Sequence, residues 1–243
     1  MQAQPWNAVK AAVKGAVPQW ALHLRERYRN GSNERVFTRI YREQAWGHSS
    51  DPEQVFFSGA GSHEGLVVEG YVAAVQAFLA QIGGRPDAVD LGCGDFAVGA
   101  QLRPFCRRYI ACDVVKPVIE WDRIRYAGFD VQFQQCDFTR DTLPEGDVAF
   151  VRQVLQHLSN ADIAKFVQHV GTRYQYLVVT EHVPHGDFEH NRDRPAGAHI
   201  RLQDRSGIVL TSAPFGLRPL AQRVICEVEQ MGGVIRTVVY RMR

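Results

Sequence analysis

Five short apolar runs, Ala88 to Leu91, Tyr109 to Cys112, Val131 to Gln134, Val148 to Val151 and Tyr176 to Val179, recur along the chain from Asp87 onward. Stretches of helical periodicity at about 95–105, 116–128 and 160–171 lie between them. Runs this short and this apolar read as strands buried on both sides, and regular alternation of strand with helix requires a parallel sheet covered on both faces. The chain closes differently. Arg223 to Glu229 and Val234 to Arg241 read as two strands joined across Met231-Gly232-Gly233, a turn that makes an antiparallel hairpin.

The 243 residues suffice for one such domain with decorations. Trp6, Val9, Val13, Val17, Trp20 and Leu24 recur at mostly helical spacing, interrupted at Pro18, and predict an amphipathic arm that docks on the core or on a second copy in a homodimer. A second amphipathic segment follows at Val36 to Trp46, then a Gly/Ser-rich loop, Ser58 to Ser62, and a helix from Glu64 to about Ile82. The expected division is a helical N-terminal arm and cap over 1–62 and a core over 63–243. Residues 183–222 carry many charged, Pro and Gly residues and little periodicity, which marks a long loop of the kind that carries binding groups.

No apolar run approaches the roughly 20 residues that span a bilayer, and the N-terminus lacks a signal peptide's apolar stretch. The five cysteines show no CxxC spacing and read as reduced core residues, so the expected location is the cytoplasm. A net charge of +2 gives no case for nucleic acid. Arginine greatly outnumbers lysine, which leaves an acidic or phosphorylated substrate open.

The densest chemical signal is Val89-Asp90-Leu91-Gly92-Cys93-Gly94-Asp95-Phe96-Ala97, where a buried strand runs into glycines and a helix start. Glycines there let the backbone approach a ligand closely. Gly92, Gly94 and Ala97 also satisfy G-x-G-x-x-G/A, with Asp113 about 20 residues on, so a dinucleotide enzyme competes with other nucleoside-cofactor enzymes. Asp90, at the mouth of the loop, would repel a pyrophosphate and suits a ligand carrying ammonium and sulfonium charges. Asp137 ends the third strand, so the first three strands each finish at an acid: one for an amino-acid end, one for a ribose, one for an adenine amine. No Tyr is followed four residues later by Lys, which removes the usual acid/base pair of short-chain dehydrogenases.

Asp90 to Phe96, as D-x-G-C-G-D-F, and Arg152 to Leu158, as R-[DQ]-V-L-x-H-L, together resemble the class I S-adenosylmethionine-dependent methyltransferases over roughly residues 60–243, closest to a bacterial group carrying both motifs. Trp46-Gly47, the Ser58 to Ser62 loop, Asn191, Gly197, Leu202 and Pro214-Phe215 extend the likeness. The resemblance implies an α/β, Rossmann-like, seven-stranded, mostly parallel sheet with an antiparallel C-terminal strand and helices on both faces. It implies that Asp90, Gly92 and Gly94 surround the methionine portion of S-adenosylmethionine, that Asp113 takes the ribose hydroxyls, and that Asp137 and Phe138 meet the adenine. Many members have a third glycine where Phe96 stands, so this helix start must be held differently.

Methyl transfer from a sulfonium is an in-line displacement in which the protein's work is alignment and desolvation. A hydroxyl acceptor must also lose a proton, and His157, after the fourth strand, is the candidate base by residue type, set against a purely local structural role. Arg152 and Gln153, at the end of that strand, are candidates for cofactor or acceptor contact, with loop bracing as the alternative. Glu181, His182, His185 and His190 lack metal-ligand spacing, so no metal is expected. Acceptor candidates are Tyr41, Trp46 and His63 before the core, and Glu181, His182, Asn191, His199 and Arg201 after the fifth strand; Arg201 would pair a carboxylate or phosphate. The functional expectation is methyl transfer to a small-molecule or sugar-containing acceptor, at oxygen. The competing readings are an NAD(P)-dependent oxidoreductase and a catalytically idle binding protein of the same fold.

Overall fold

The computed structural model describes residues 32–243; the N-terminal arm, and the homodimer contact assigned to it, lie outside the described residues. Helix α1 (Asn33–Arg42) opens at Ser32, whose side chain accepts from the Arg35 N–H, and carries Arg39 and Arg42 in its last turn, where cations suit the helix dipole. Its Val36, Phe37 and Ile40 face inward and join the main core. A loop follows through residue 62, then helix α2 (Gly65–Gln81).

The core alternates as the apolar runs require: β1 (Asp87–Leu91), α3 (Gly99–Leu102), β2 (Arg108–Asp113), α4 (Lys116–Arg125), β3 (Gln132–Gln135), β4 (Val148–Arg152), α5 (Asn160–Val170) and β5 (Tyr176–Pro184). Two short strands, β6 (Glu189–His190) and β7 (Ser206–Gly207), pair with each other, and the hairpin β8 (Ala221–Gln230) and β9 (Gly233–Arg241) ends the chain. The seven-stranded sheet runs β3-β2-β1-β4-β5-β9-β8, with β9 alone running opposite to the other six strands. Successive strand residues feed opposite layers: Val89, Leu91, Ala149 and Val151 pack with α1 and α5, while Ala88, Val148 and Phe150 pack with α2.

Four expectations are corrected. The helix expected at 95–105 shrinks to α3 and a 3-10 turn, Arg103–Phe105, because Phe96 is left-handed (φ 56°) and Pro104 lacks the N–H to continue the ladder. The helix expected at 116–128 ends at Arg125, before a separate 3-10 turn over Ala127–Phe129. Strand β5 runs five residues past Val179, because Thr180 to Pro184 stay paired with Thr237 to Gly233 of β9. Nor is 183–222 a bare loop, since Ile208, Leu210 and Leu217 are buried in the main core.

Ile40 is fully buried, so Ile40→Ala should cost about 2–5 kcal/mol in urea unfolding. A loss below about 1 kcal/mol would contradict the packing of α1 into the core described here.

Candidate active site

Strand order reverses at β1, which lies between β2 and β4, and the carboxyl ends of β1 and β4 therefore diverge into a crevice. A cavity of about 360 Å³ fills it. Every expected cofactor contact, Asp90, Gly92, Gly94, Asp113, Asp137, Phe138 and Arg152, lines this one cavity.

The glycine loop is pressed from two sides. A Cβ on Gly92 (φ 86°) would lie 2.5 Å from a Val154 methyl, and one on Gly94 (φ 56°) would lie 2.3 Å from the Ser58 hydroxyl. No side chain fits at either position. Phe96, where relatives of the fold often carry glycine, takes the left-handed conformation itself and is held there by burying its ring edge-on against Tyr109, Tyr126 and Phe133.

Asp113 ties the loop to the next strand: its carboxylate accepts N–H groups from Gly94 (3.1 Å) and Val115 (2.8 Å). Asp90 accepts from the Tyr109 hydroxyl at 3.0 Å. Burial pushes the Asp90 carboxyl up to about 7 against the pull of that hydroxyl, and pushes Asp113 up to about 6 against the N–H groups on it. Asp137 accepts from the Thr139 N–H and hydroxyl, so it closes a turn as well as lining the cavity.

Arg152 donates to the Gly61 carbonyl (2.6 Å) and to Ser62 (3.3 Å), lies 5.0 Å from the Tyr71 ring centroid, and keeps a buried Nε without a partner among the described residues. These groups fit the cofactor: carboxylates for its ammonium and ribose, an unsatisfied guanidinium nitrogen for its carboxylate, and a glycine cradle for its body.

The segment before the core roofs the cavity. The Ser58 N–H donates to Asp95, the Asp95 N–H donates back to the Ser58 hydroxyl, and His63 meets the same carboxylate at 2.7 Å. Tyr41 bonds Ser58 at 2.9 Å. This clamp went unread in the sequence, where Asp95 and the Ser58 to Ser62 loop were each visible but nothing linked them. Tyr71, at an ordinary core spacing on α2, gave no signal. His63 therefore fastens the roof and does not line the cavity.

After β4, a 3-10 turn (Leu155–His157) carries the expected base. His157 donates from Nδ1 to the Gly197 carbonyl (3.1 Å), since a carbonyl can only accept. Gln156 accepts the His182 N–H through Oε1, which turns its amide nitrogen toward His157 Nε2 at 3.4 Å. Both contacts leave Nε2 unprotonated. Burial lowers His157 to about 4, so the imidazole is neutral at physiological pH.

Trp46 lines the cavity, packs at 5.0 Å from the His157 ring, and commits its indole N–H to the Ala198 carbonyl (3.1 Å). His182 and His199 also line it.

Glu181, Asn191 and Arg201, expected at the acceptor, do not line the cavity. The Glu181 carboxylate accepts the N–H groups of Leu155 and Gln156, and burial pushes it up to about 8. Arg201 is buried and donates to the carbonyls of Leu155, Gln156, Leu158 and Arg192 and to Asn160. Its guanidinium has no face left for a carboxylate or phosphate. Asn191 brackets Val209 through both N–H and C=O, holding the late loop together. All three build the wall behind the site.

This constellation, a glycine turn at the strand-order switch with acids after the first three strands, defines a nucleoside-cofactor α/β enzyme. The O-methyltransferase domain family matches residues 20–179, more than half of the chain, and the chain belongs to that family. It is an S-adenosylmethionine-dependent methyltransferase, which removes the nicotinamide reading the glycine spacing had left open.

No curated protein matches by sequence. Among solved structures, the N-methyltransferase NodS from Bradyrhizobium japonicum WM9 with S-adenosyl-L-homocysteine is 14% identical, with a TM-score of 0.59 over 83% of this chain and 97% of that one. Human N-acetylserotonin methyltransferase with S-adenosylmethionine is 17% identical, with a TM-score of 0.59 over 97% of this chain and 66% of that one. The N-terminal domain of EvdMO1 with S-adenosyl-L-homocysteine is 15% identical, with a TM-score of 0.56 over 88% and 100%. At these identities the likeness is one of fold.

Two titrations follow. A cationic cofactor favours ionised Asp90, so its affinity should be full above about pH 7 and weaken by up to about tenfold per unit below it, with the dependence between pH 7 and pH 6 lost in Asp90→Asn and only the part carried by Asp113 below about pH 6 remaining. A dissociation constant flat from pH 8 to 5.5 in the unmodified protein would contradict this.

Asp122, buried on α4 with neither carboxylate oxygen bonded among the described residues, is pushed up to about 9 by burial and then by Asp113, Asp95 and Asp90. A raised carboxyl stabilises the fold below its unfolded value near 4 and loses that contribution as pH climbs toward 9. The stability gained by Asp122→Asn should therefore grow between pH 4 and pH 9, exceeding about 1 kcal/mol by pH 8 in denaturant unfolding. A gain independent of pH would rule this out.

Proposed function

We propose that this enzyme methylates a hydroxyl of a small-molecule or sugar-containing acceptor, with His157 as the base. The observation that carries the proposal is the His157 imidazole in the turn after β4, lining the cavity, fixed at Nδ1 by Gly197 and unprotonated at Nε2, where a proton from the acceptor would displace the 3.4 Å contact with the Gln156 amide. When bound, S-adenosylmethionine supplies a methyl group already activated on a sulfonium. Asp90, Gly92, Gly94 and Arg152 hold the methionine end, Asp113 the ribose, and Asp137 with Phe138 the adenine. Trp46 and the Ser58 to Ser62 loop exclude water.

A base at about 4 is weak, but the acceptor hydroxyl becomes strongly acidic only as its oxygen takes the methyl and gains positive charge. His157 Nε2 needs to accept the proton only at that point. A sugar acceptor has support in the EvdMO1 domain, 16% identical with a TM-score of 0.55, which was crystallised in the presence of S-adenosyl-L-homocysteine and D-fucose.

The two motifs at Asp90 to Phe96 and Arg152 to Leu158 favour the bacterial methyltransferase group that carries both. Of the segment before the core, residues 32–62 serve as the cap over the cavity in this reading. No helix among the described residues is long and apolar enough to cross a membrane, and all five cysteines are free, which favours the cytoplasm.

His157→Ala should lower kcat by about 10²–10⁴ while leaving cofactor affinity within about twofold. Full activity in the variant, read as S-adenosyl-L-homocysteine formation, would remove His157 from the chemistry.

A further inference from the structure

Charge divides the cavity into two halves. Its charged lining residues among those described are Asp90, Asp95, Asp113, Asp137 and Arg152. The four acids sit at or just past the carboxyl ends of β1, β2 and β3, and Arg152 is tied to the roof at Gly61 and Ser62. Past the carboxyl end of β4 and along β5, the wall among the described residues carries amides and imidazoles and no carboxylate or lysine: beside His157 these are Gln153, Gln156, His182, His199, Gln203 and Gln230.

Gln153 is set apart within this wall. Its backbone is left-handed (φ 55°), a strained conformation for glutamine, and its N–H is anchored on the Thr180 carbonyl. A Cβ on Gly61 would lie 2.3 Å from Gln153 Oε1, so the bare glycine roof is what leaves room for the amide. Its Nε2 is buried without a hydrogen-bond partner among the described residues. Buried donors are rarely left so, and one lining a ligand cavity marks a place where the ligand supplies the acceptor.

The neighbouring groups show how this differs from ordinary packing. Gln156 is bonded to His182 and His157, and His182 Nε2 donates to the Gln230 carbonyl, which leaves its Nδ1 as an acceptor.

We infer that the acceptor is an uncharged polyhydroxyl compound, with Gln153 Nε2 donating to one of its oxygens and the other amides and imidazoles reading its remaining hydroxyls. This rests on the methyl-transfer reading of the same cavity. Amides donate to and accept from hydroxyls alike, whereas among the described residues that line this half there is no cation besides the roof-tied Arg152 and no carboxylate. Arg194, whose charge reaches His157, faces Asp204 at 3.8 Å behind the lining, and Glu64 is held by Gln230. The arginine expected to pair an acidic acceptor, Arg201, is the one consumed behind the wall.

The test uses the full chain with saturating S-adenosylmethionine and four matched probe sets: methyl glycosides, the corresponding sugar 1-phosphates, uronic acids and amino sugars. S-adenosyl-L-homocysteine formation is the readout, and cofactor binding is measured by calorimetry on the same sample. The expected result is turnover of a neutral glycoside with kcat/KM at least about tenfold above its charged counterparts, and a KM for it raised at least about tenfold in Gln153→Ala with cofactor affinity unchanged. Cofactor binding with preference for a phosphorylated, acidic or amino probe, with no neutral probe accepted, or with KM unmoved in Gln153→Ala, overturns this inference and leaves the methyltransferase assignment standing. Absence of cofactor binding would instead defeat that underlying assignment.

Discussion

The turn that follows β4 exists because one buried carboxylate and one buried guanidinium are committed to its backbone. A 3-10 turn at the centre of a protein exposes N–H and C=O groups that no helix or strand satisfies. Glu181, from β5, takes the N–H groups of Leu155 and Gln156, and Arg201, from the late loop, takes the carbonyls of Leu155, Gln156 and Leu158. Removing either side chain leaves buried backbone N–H or C=O groups without their partner, at about 1–3 kcal/mol for each group. The orientations of His157, Gln156 and Gln153 all descend from this turn, so the acceptor side of the site depends on two residues that never reach it.

The cofactor side has a different logic. Its backbone is shaped by close approach, with Gly92 against Val154 and Gly94 against Ser58, and its enclosure comes from outside the sheet. The roof is fastened at Asp95 by Ser58 and His63, at Arg152 by Gly61 and Ser62, and at Ala198 by Trp46. These contacts link the segment before the core, the glycine loop and the late loop around one cavity. Burial there penalises the charged form of a carboxyl, which pushes Asp90 up to about 7 and Asp113 up to about 6.

The sheet was legible because apolar runs of buried strands are a local property of sequence, and each run became a strand within a residue or two. The exception is β5, whose outer half, Thr180-Glu181-His182, reads as polar yet is buried by pairing with β9 and by the late loop packed over it. That misreading placed Glu181 at the acceptor. Arg201 and Asn191 were misjudged for the same reason: a charged or amide residue in a Pro- and Gly-rich stretch looks exposed until the backbone groups it satisfies are known. The acids and glycines after the first three strands could be read because their positions follow from strand ends alone. The Asp95 clamp and the Gln153 Nε2 left without a partner among the described residues depend on contacts between distant segments, such as Gly61 over Gln153, and no spacing in the sequence reports them.

The most direct test is calorimetric titration of the purified chain with S-adenosylmethionine and, separately, NAD, repeated on Asp113→Ala. The account predicts single-site micromolar binding of S-adenosylmethionine, lost in the variant, and no heat with NAD. Binding of NAD without S-adenosylmethionine, or S-adenosylmethionine binding indifferent to Asp113→Ala, would contradict it.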